Sequence, residues 1–227
     1  MIEDRFAAGR PRLEESGATM VADVAPYELA KLRLLNGAHS TLAYLGYLAG
    51  YESIADTMGD PAFARLARGL MDEEATPTLA AHGVGDLTGY KRSLLERFEN
   101  PALRHRTWQI AMDGSQKLPQ RLLATARERL AASAPIARLA LAVAGWMRYV
   151  TGIAELGRAI DVRDPLAARL GAIVDAAGPD PARLAPALIT VREIFGDDLA
   201  GDPRFVQPVA RSRRALYAWG AADGRRV

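Results

Sequence analysis

The chain has 227 residues, and 49% of them are hydrophobic, which is enough for a buried core and too much for general disorder. Its 29 basic and 27 acidic side chains give a net charge of +2, so we do not expect a surface built for nucleic acid. The absence of cysteine excludes disulfides, thiolate zinc sites and thiol catalysis, and it suits a reducing cytoplasm.

Neither the N-terminus nor the most apolar stretch carries a targeting or membrane signal. Residues 1–5 are mostly charged and lack the apolar core of a signal peptide. The apolar stretch 135–160 is interrupted by Arg138, Arg148, Glu155 and Arg158, too many charges for a bilayer segment. We therefore predict a cytoplasmic protein whose partners include neither membrane nor nucleic acid.

Residues 1–25 differ from the rest of the chain. Glycines and a proline interrupt any helical period, and residues 19–21 fit a short strand. A single strand would have no partner in an otherwise helical sequence. We therefore expect this segment to belong to a neighbouring unit that the chain does not contain.

From Pro26 onward the sequence predicts helices. Pro26 suits a first helical turn, and a second helix is expected through residues 40–58. Further helix starts are marked by a capping residue followed by proline, at Asp60-Pro61, Asn100-Pro101 and Asp164-Pro165. A long helix is expected over residues 135–160, and two shorter ones after Pro186 and Pro203. Because no stretch alternates with period two, the predicted fold class is all-α.

The segment from Glu28 to His39 carries the side chains most suggestive of chemistry. At about 100° per residue, Glu28, Lys31, His39 and Asn36 fall within an arc of about 140° that also holds leucines. Buried polar groups need partners, so such a strip lines a polar network or a ligand pocket. The alternative is a solvated Glu28–Lys31 pair with a capping Asn36.

Lysine is scarce in this sequence. Only Lys31, Lys91 and Lys117 occur among the 29 basic residues. An ammonium can lose and regain its proton whereas a guanidinium cannot, so a retained lysine hints at proton transfer, although chance explains it equally well. Lys117 either projects into a cleft with Lys31 or is solvated, one turn into a helix capped by Asp113.

Common nucleotide and metal motifs are absent from the sequence. The glycines never take G-x-G-x-x-G or G-x-x-x-x-G-K spacing, and the three histidines include no H-E-x-x-H. The acidic run at 72–74 is expected to be a solvated helix face. The basic runs at 104–106 and 211–214 either hold an anionic substrate or are plain surface.

The segment 31–39, with Lys31, Asn36 and His39, resembles the K-x-x-x-x-N-x-x-H signature of the mannitol dehydrogenase family of polyol-specific long-chain dehydrogenases. Four further segments are similar to that family: residues 2–11, 23–28, 100–103 and 107–120. The similarity is greatest to the sugar-acid members, such as fructuronate reductase (mannonate oxidoreductase). It runs along essentially the whole chain and corresponds to the family's C-terminal half.

The resemblance implies two domains in the parent chain. An N-terminal Rossmann domain would bind NAD, and this chain would lack it. The helical remainder would be an all-α, multi-helix substrate domain of the 6-phosphogluconate dehydrogenase C-terminal-like type. Residues 1–25 are then the end of the cofactor domain with its linker, and residues 26–227 are the substrate-binding and catalytic domain. By itself the chain is expected to be inactive.

The resemblance also assigns roles residue by residue. Lys31 is the general acid/base, which protonates a ketone oxygen as hydride arrives and takes the hydroxyl proton in the reverse reaction. Asn36 stabilises charge on that oxygen, and Glu28 gates the proton path. His39 and Lys117 contact the substrate. To take the hydroxyl proton Lys31 must be a neutral amine, which desolvation favours, so Lys31 is expected to be buried. The resemblance implies no metal.

One position departs from the family pattern. Polyol members carry a basic, substrate-contacting residue where this chain has Gln109, while Arg104 and Arg106 lie just upstream. A carboxylated substrate favours a guanidinium partner, so we expect a keto-sugar acid of the fructuronate/mannonate type, held by Arg104 and Arg106. The alternatives are a mannitol/fructose 2-dehydrogenase of the same family and a stand-alone helical ligand-binding or dimerisation module without activity.

Overall fold

The computed structural model describes residues 1–178 and 180–223, so the last four residues of the predicted helical domain lie outside it. Two strands, β1 (Ile2–Glu3) and β2 (Met20–Val21), precede the helices. The α-helices are α1 (Ala25–Ala30), α2 (Gly37–Leu48), α3 (Ile54–Met58), α4 (Pro61–Gly69), α5 (Thr76–Ala80), α6 (Thr88–Glu99), α7 (Thr107–Ala111), α8 (Gly114–Leu118), α9 (Ala124–Ala131), α10 (Ala137–Tyr149), α11 (Ala167–Ala177), α12 (Pro181–Ile189), α13 (Arg192–Gly201) and α14 (Pro203–Asp223). The predicted all-α class is confirmed for the described residues.

The strand expected near residue 20 forms, but the expectation that it has no partner is wrong. β1 pairs with β2 in parallel, with Ile2 opposite Met20 and Glu3 opposite Val21. Arg10 forms ion pairs with Asp4 and Glu14, both at 2.7 Å, and so holds the loop between the strands. Such a two-residue pair has little stability of its own. That residues 1–25 belong to a cofactor domain stays a prediction.

Three long helices each contain a π turn, in which an N–H donates to the carbonyl five residues earlier. The first π turn (Lys31–Asn36) joins α1 to α2, the second (Leu70–Ala75) joins α4 to α5, and the third (Pro119–Leu123) joins α8 to α9. Their flanking residues keep right-handed helical angles, so continuous helices run over 25–48, 61–80 and 114–131. The first π turn packs against the other two.

Helix α10 lies at the centre of the core. Ten of its 13 residues are buried, and it packs against α2 and α14. Gly145 permits the close approach of α2, because a Cβ there would lie 2.8 Å from Leu45 Cδ2. Trp146 packs on Phe195 from the other side, with ring centroids 5.9 Å apart. Within the residues described, no helix is long and apolar enough to cross a membrane.

Several predicted helix boundaries require correction because of single glycines. The helix expected through 40–58 ends at Leu48, since Gly50 takes a left-handed conformation (φ 90°) before α3 begins. The helix expected over 135–160 covers only Ala137–Tyr149. Beyond it Gly152 (φ 74°) turns the chain into a short antiparallel bridge between Ile153 and Ala159.

The capping signals had mixed outcomes. Asp60 caps α4 as predicted, accepting from the Ala62 N–H at 2.8 Å. Pro203 starts α14, which is not short, although Gly220 (φ 76°) interrupts the helical conformation near its C-terminal end. Asn100 caps only a 3-10 turn, and the helix expected after Pro186 begins at Pro181.

Asp164 caps no α-helix, since α11 begins at Ala167. Its carboxylate accepts instead from Ser115 N, Ser115 Oγ and Leu166 N.

The acidic run at 72–74 is solvated as predicted at Asp72 and Glu73, but not at Glu74. Glu74 is 2% exposed, and its carboxylate accepts from the backbone N–H groups of Arg138 and Leu139, at 2.8 and 2.9 Å, where α10 begins. Burial raises the pKa of the Glu74 carboxyl, against the opposing effect of these hydrogen bonds. Glu74 therefore joins the second π turn to the central helix.

We expect Glu74→Ala to lower the free energy of unfolding by about 1–3 kcal/mol, because it leaves two buried N–H groups of α10 without acceptors. Urea denaturation of the chain measures the loss. The control is Glu73→Ala, whose carboxylate is 62% exposed and pairs with the Arg138 side chain. That change is expected to cost about 1 kcal/mol or less. Equal losses in the two variants would contradict the capping role.

Candidate active site

The first π turn places the three signature residues on one side of helix 25–48. In an α-helix the hydrogen-bonded residues i and i+4 share a face, whereas in a π turn residues i and i+5 do so. The Gly37 N–H donates to the Leu32 carbonyl, which shows the five-residue step. Lys31 and Asn36 are five residues apart across this turn and therefore stack, and His39 follows Asn36 by one α-helical turn. The regular helical arrangement predicted for this strip, with Asn36 farthest from Lys31, is wrong.

Lys31 and Glu28 lie on the exposed side of this helix. Within the described part of the chain, neither side chain makes a hydrogen bond or an ion pair, so the alternative of a Glu28–Lys31 surface pair is not formed. The sequence also predicts that Lys31 is buried, but in this structure Lys31 is exposed. Lys91, by contrast, forms an ion pair with Asp72. Lys31 is thus held in place by its helix alone and remains open to a second surface.

His39 is half-buried and lies against two rings. Its ring stacks on Phe98 with centroids 5.2 Å apart, and it lies 5.2 Å from the His105 ring. Its Nε2 is fully buried and finds no hydrogen-bond partner among the described residues. Burial lowers the pKa of His39 to about 3. Four basic neighbours add to this effect: His105, Arg121, Arg97 and Lys117. The imidazole is therefore neutral near pH 7, with one donor and one acceptor nitrogen.

Lys117 approaches the same region from the third long helix. Its side chain is 20% exposed, and Nζ donates to the carbonyl oxygens of Met112 and Ile110 at 2.5 and 3.4 Å. Asp113 lies 3.6 Å away and does not cap α8, so the alternative of a solvated lysine behind an Asp113 cap is wrong. Burial lowers the pKa of Lys117, and Arg121 acts in the same direction.

The third π turn meets helix 25–48 at Gly37, where a Cβ would lie 2.9 Å from the backbone carbonyl oxygen of Arg121. The Arg121 side chain contacts the same helix, because its guanidinium donates to Ser40 Oγ at 3.1 Å. Its Nε is buried without a partner among the described residues. The sequence reasoning missed Arg121. Its spacing of four residues from Lys117 is the signal that could have found it, since such residues share a helix face.

The two arginines expected to hold a carboxylate are not brought to this region. Arg106 lines a cavity of about 470 Å³ at the C-terminal end of α2, together with Tyr47 and Arg158. Tyr47 follows His39 by eight residues, or about 12 Å along the helix axis. Arg104 is exposed, with left-handed backbone angles. Gln109 is exposed too. Of the run 104–106, it is His105 that reaches His39.

No three His, Asp or Glu side chains within residues 1–178 and 180–223 are grouped closely enough to hold a metal ion. The polar groups of this region are those of Lys31, Asn36 and His39 on one helix and of Lys117 and Arg121 on another, and Lys117 and Arg121 lie close enough to His39 to lower its pKa. Together they offer one solvent-accessible ammonium, an amide, a neutral imidazole and two partly buried cations. This set suits proton transfer to and from an oxygen on a small polar, anionic ligand.

We expect Gly37→Ala to lower the free energy of unfolding by about 1–3 kcal/mol, because the added methyl group meets a backbone carbonyl that cannot rotate away. Thermal or urea unfolding of the chain measures it. Gly89→Ala in α6 is the matched control, since nothing lies within 4 Å of a Cβ there, and it is expected to be neutral or slightly stabilising. Equal effects would show that the two π turns are not in close contact.

His39 also makes a pH dependence testable. Between about pH 6.5 and 3 the unfolded chain binds a proton at His39 that the folded chain does not. The free energy of unfolding therefore falls as pH falls through this window, by up to about 1.4 kcal/mol per pH unit from this group. We expect His39→Gln to give a shallower slope in denaturation experiments across the window. The same slope for both proteins would contradict a neutral, buried imidazole.

Comparison with known proteins places the chain in a family. Residues 23–217 match the model of the mannitol dehydrogenase C-terminal domain. The chain is 52% identical over 221 residues to the Escherichia coli (strain K12) protein named uncharacterized oxidoreductase YeiQ, covering 97% of this chain and 45% of that protein. It is 51% identical over 224 residues to the D-mannonate oxidoreductase of the same strain, covering 98% and 46%.

A solved structure is similar as well. The chain aligns with Pseudomonas fluorescens mannitol 2-dehydrogenase, in its ternary complex with NAD and D-mannitol, at a TM-score of 0.90 and 37% identity. The match covers 99% of this chain and 45% of that one, so the chain spans less than half the length of the relatives it matches. The chain belongs to the mannitol dehydrogenase family and corresponds to its C-terminal domain.

Proposed function

We propose that the chain is the substrate-binding, catalytic half of an NAD-dependent oxidoreductase that interconverts a keto-sugar acid and its hydroxy acid, of the fructuronate/mannonate type. The observation that carries this proposal is the 51% identity to D-mannonate oxidoreductase along 98% of the chain. The convergence of Lys31, Asn36, His39 and Lys117 supports it, because these side chains suit the binding and protonation of a polyhydroxylated ligand.

In this proposal Lys31 is the general acid/base. In reduction its ammonium donates a proton to the carbonyl oxygen of the substrate, and in oxidation the neutral amine takes the hydroxyl proton. Asn36, stacked beside it by the π turn, donates an N–H to the same oxygen as negative charge develops there. His39 and Lys117 bind substrate hydroxyls, and Glu28, one turn before Lys31, exchanges its proton with solvent.

The cofactor supplies or accepts the hydride when bound, but this chain's residues do not fit a dinucleotide site. The part of the chain that the structure describes has one pair of two-residue strands, joined without an α-helix between them, and the sequence has no glycine-rich nucleotide loop. We therefore propose that NAD is held by a Rossmann domain N-terminal to residue 26, of which residues 1–25 are the end. Docking of that domain would cover Lys31.

Arg104 and Arg106 remain candidate contacts for an anionic substrate, since both are exposed and form no ion pair with a described carboxylate. They flank His105, whose ring lies 5.2 Å from the His39 ring. The second candidate function is mannitol/fructose 2-dehydrogenation. It is favoured by the TM-score of 0.90 with a mannitol 2-dehydrogenase that binds NAD and D-mannitol.

The test is NADH oxidation by a protein that carries a cofactor domain ahead of this chain, with D-fructuronate and D-fructose at matched concentrations. We expect D-fructuronate to be preferred. Lys31→Met is expected to reduce turnover at least about 100-fold with the fold retained, because Lys31 provides the proton and its exposed side chain makes no hydrogen bond or ion pair with a described residue. Circular dichroism and the melting temperature check the fold.

Lys91→Met is the matched control, because it removes another lysine, one that is paired with Asp72 and lies outside the signature segment 31–39. It is expected to leave the rate unchanged. Equal rates for Lys31→Met and the parent would refute the catalytic role of Lys31. A preference for D-fructose would favour the second candidate function, and inactivity with both sugars would favour a ligand-binding or dimerisation module.

A further inference from the structure

Arg121 is a partly buried guanidinium beside the proposed substrate residues. Among the described residues its guanidinium has one partner, Ser40 Oγ at 3.1 Å, although an arginine has five N–H donors. Its Nε is buried without an acceptor, and no described carboxylate lies within ion-pair distance. Desolvation of a charge that lacks a counter-ion is unfavourable. The fold therefore holds an unsatisfied positive charge at this position.

The carboxylates that act on the neighbouring Lys117 are already engaged. Asp113 lies 3.6 Å from Lys117 Nζ, and Asp164 accepts from Ser115 and from Leu166. His39, on the facing helix, has only basic groups among the neighbours that influence it most. The region between the two helices is therefore positive, and an anion that entered it would gain from both Lys117 and Arg121.

The first π turn provides a contrast within the same fold. Arg33 is 3% exposed, and its two terminal nitrogens form a bidentate pair with the carboxylate of Glu128, which His82 also contacts. Its Nε, like that of Arg121, is buried without a partner among the described residues, so the contrast lies in the carboxylate. Here a guanidinium that ties two helices together has a carboxylate of the chain as its partner. Arg121, at the corresponding turn of the third long helix, has none. The difference is the one expected between a structural arginine and an arginine that binds a ligand.

We propose that Arg121 binds the carboxylate of the substrate, with the adjacent Lys117 as a second cation. The inference rests on the proposed function, whose substrate it specifies as a sugar acid. A guanidinium and a carboxylate form paired, charge-assisted hydrogen bonds, which a neutral polyol of the same length cannot form. Arg121 therefore replaces Arg104 and Arg106 as the main carboxylate anchor, since it lies beside Lys117 and His39, whereas Arg106 lines a cavity at the C-terminal end of α2 and Arg104 is exposed.

The test is the melting temperature of the chain in the presence of D-mannonate and of mannitol, a matched pair that differs in charge, at equal ionic strength. We expect D-mannonate to raise the melting temperature more than mannitol does. Arg121→Gln is expected to weaken the apparent affinity for D-mannonate about 10- to 100-fold, and so to remove the difference. Arg121→Lys, which keeps the charge and loses the paired geometry, is expected to retain part of it.

Two comparisons make the result specific. Arg65→Gln removes an exposed positive charge and is expected to keep the full D-mannonate effect. The double variant Arg104→Gln/Arg106→Gln tests the two arginines that flank His105. It is expected to keep most of the D-mannonate effect on the melting temperature. The melting temperature and circular dichroism of each variant without ligand show whether the variant folds. If Arg121→Gln does not fold, Arg121→Lys decides the test.

The inference is overturned if the parent responds equally to D-mannonate and mannitol, or if the Arg121 variants keep the full difference. Loss of the difference in the double variant alone would assign the carboxylate to Arg104 and Arg106. Because melting needs no hydride transfer, its outcome is independent of the NADH assay. An inactive enzyme whose D-mannonate response depends on Arg121 would refute the proposed function and leave the anion site standing.

Discussion

The five-residue hydrogen-bond step across the first π turn fixes how the functional residues of this domain meet. In a regular α-helix, Lys31 and Asn36 would be separated by about 140° around the axis. The π turn removes most of this rotation and stacks them. It also sets the direction in which Gly37 faces, and the contact of Gly37 with the Arg121 backbone brings the third π turn, with Lys117 one turn before it, against the same face. One irregularity in the backbone thus assembles both halves of the candidate site.

The surrounding fold stabilises this arrangement at several points. The pair between Arg33 and Glu128 ties the first π turn to α9, and Glu74 ties the second π turn to the start of the central helix. A π turn is rare and is not favoured by local sequence, so tertiary contacts have to maintain it. The three π turns pack as one unit, and each is held by partners distant in sequence. Changes at Glu74 or Gly37 are therefore expected to affect the unfolding of the whole chain.

The sequence was sufficient for the helical class, for the cap at Asp60 and for the residue types of the site. It was not sufficient for their geometry. Periodicity assumes 3.6 residues per turn, and nothing between Lys31 and Asn36 marks the extra residue. The second and third turns adjoin prolines, Pro77 and Pro119, a weak local signal that is also compatible with a helix end. Asp164 and Arg121 depend on contacts with Ser115 and Ser40, 49 and 81 residues away, which no local pattern encodes.

The exposure of Lys31 has a consequence for how the proposed reaction is controlled. His39, Lys117 and Arg121 are already desolvated in this chain, so the groups that bind substrate are preorganised before any partner arrives. Lys31, by contrast, is exposed to water. A docking domain that covers it would remove that water and favour the neutral amine, which only then can accept a proton. Substrate recognition would therefore belong to this domain, whereas proton transfer would begin only when the two domains close on each other.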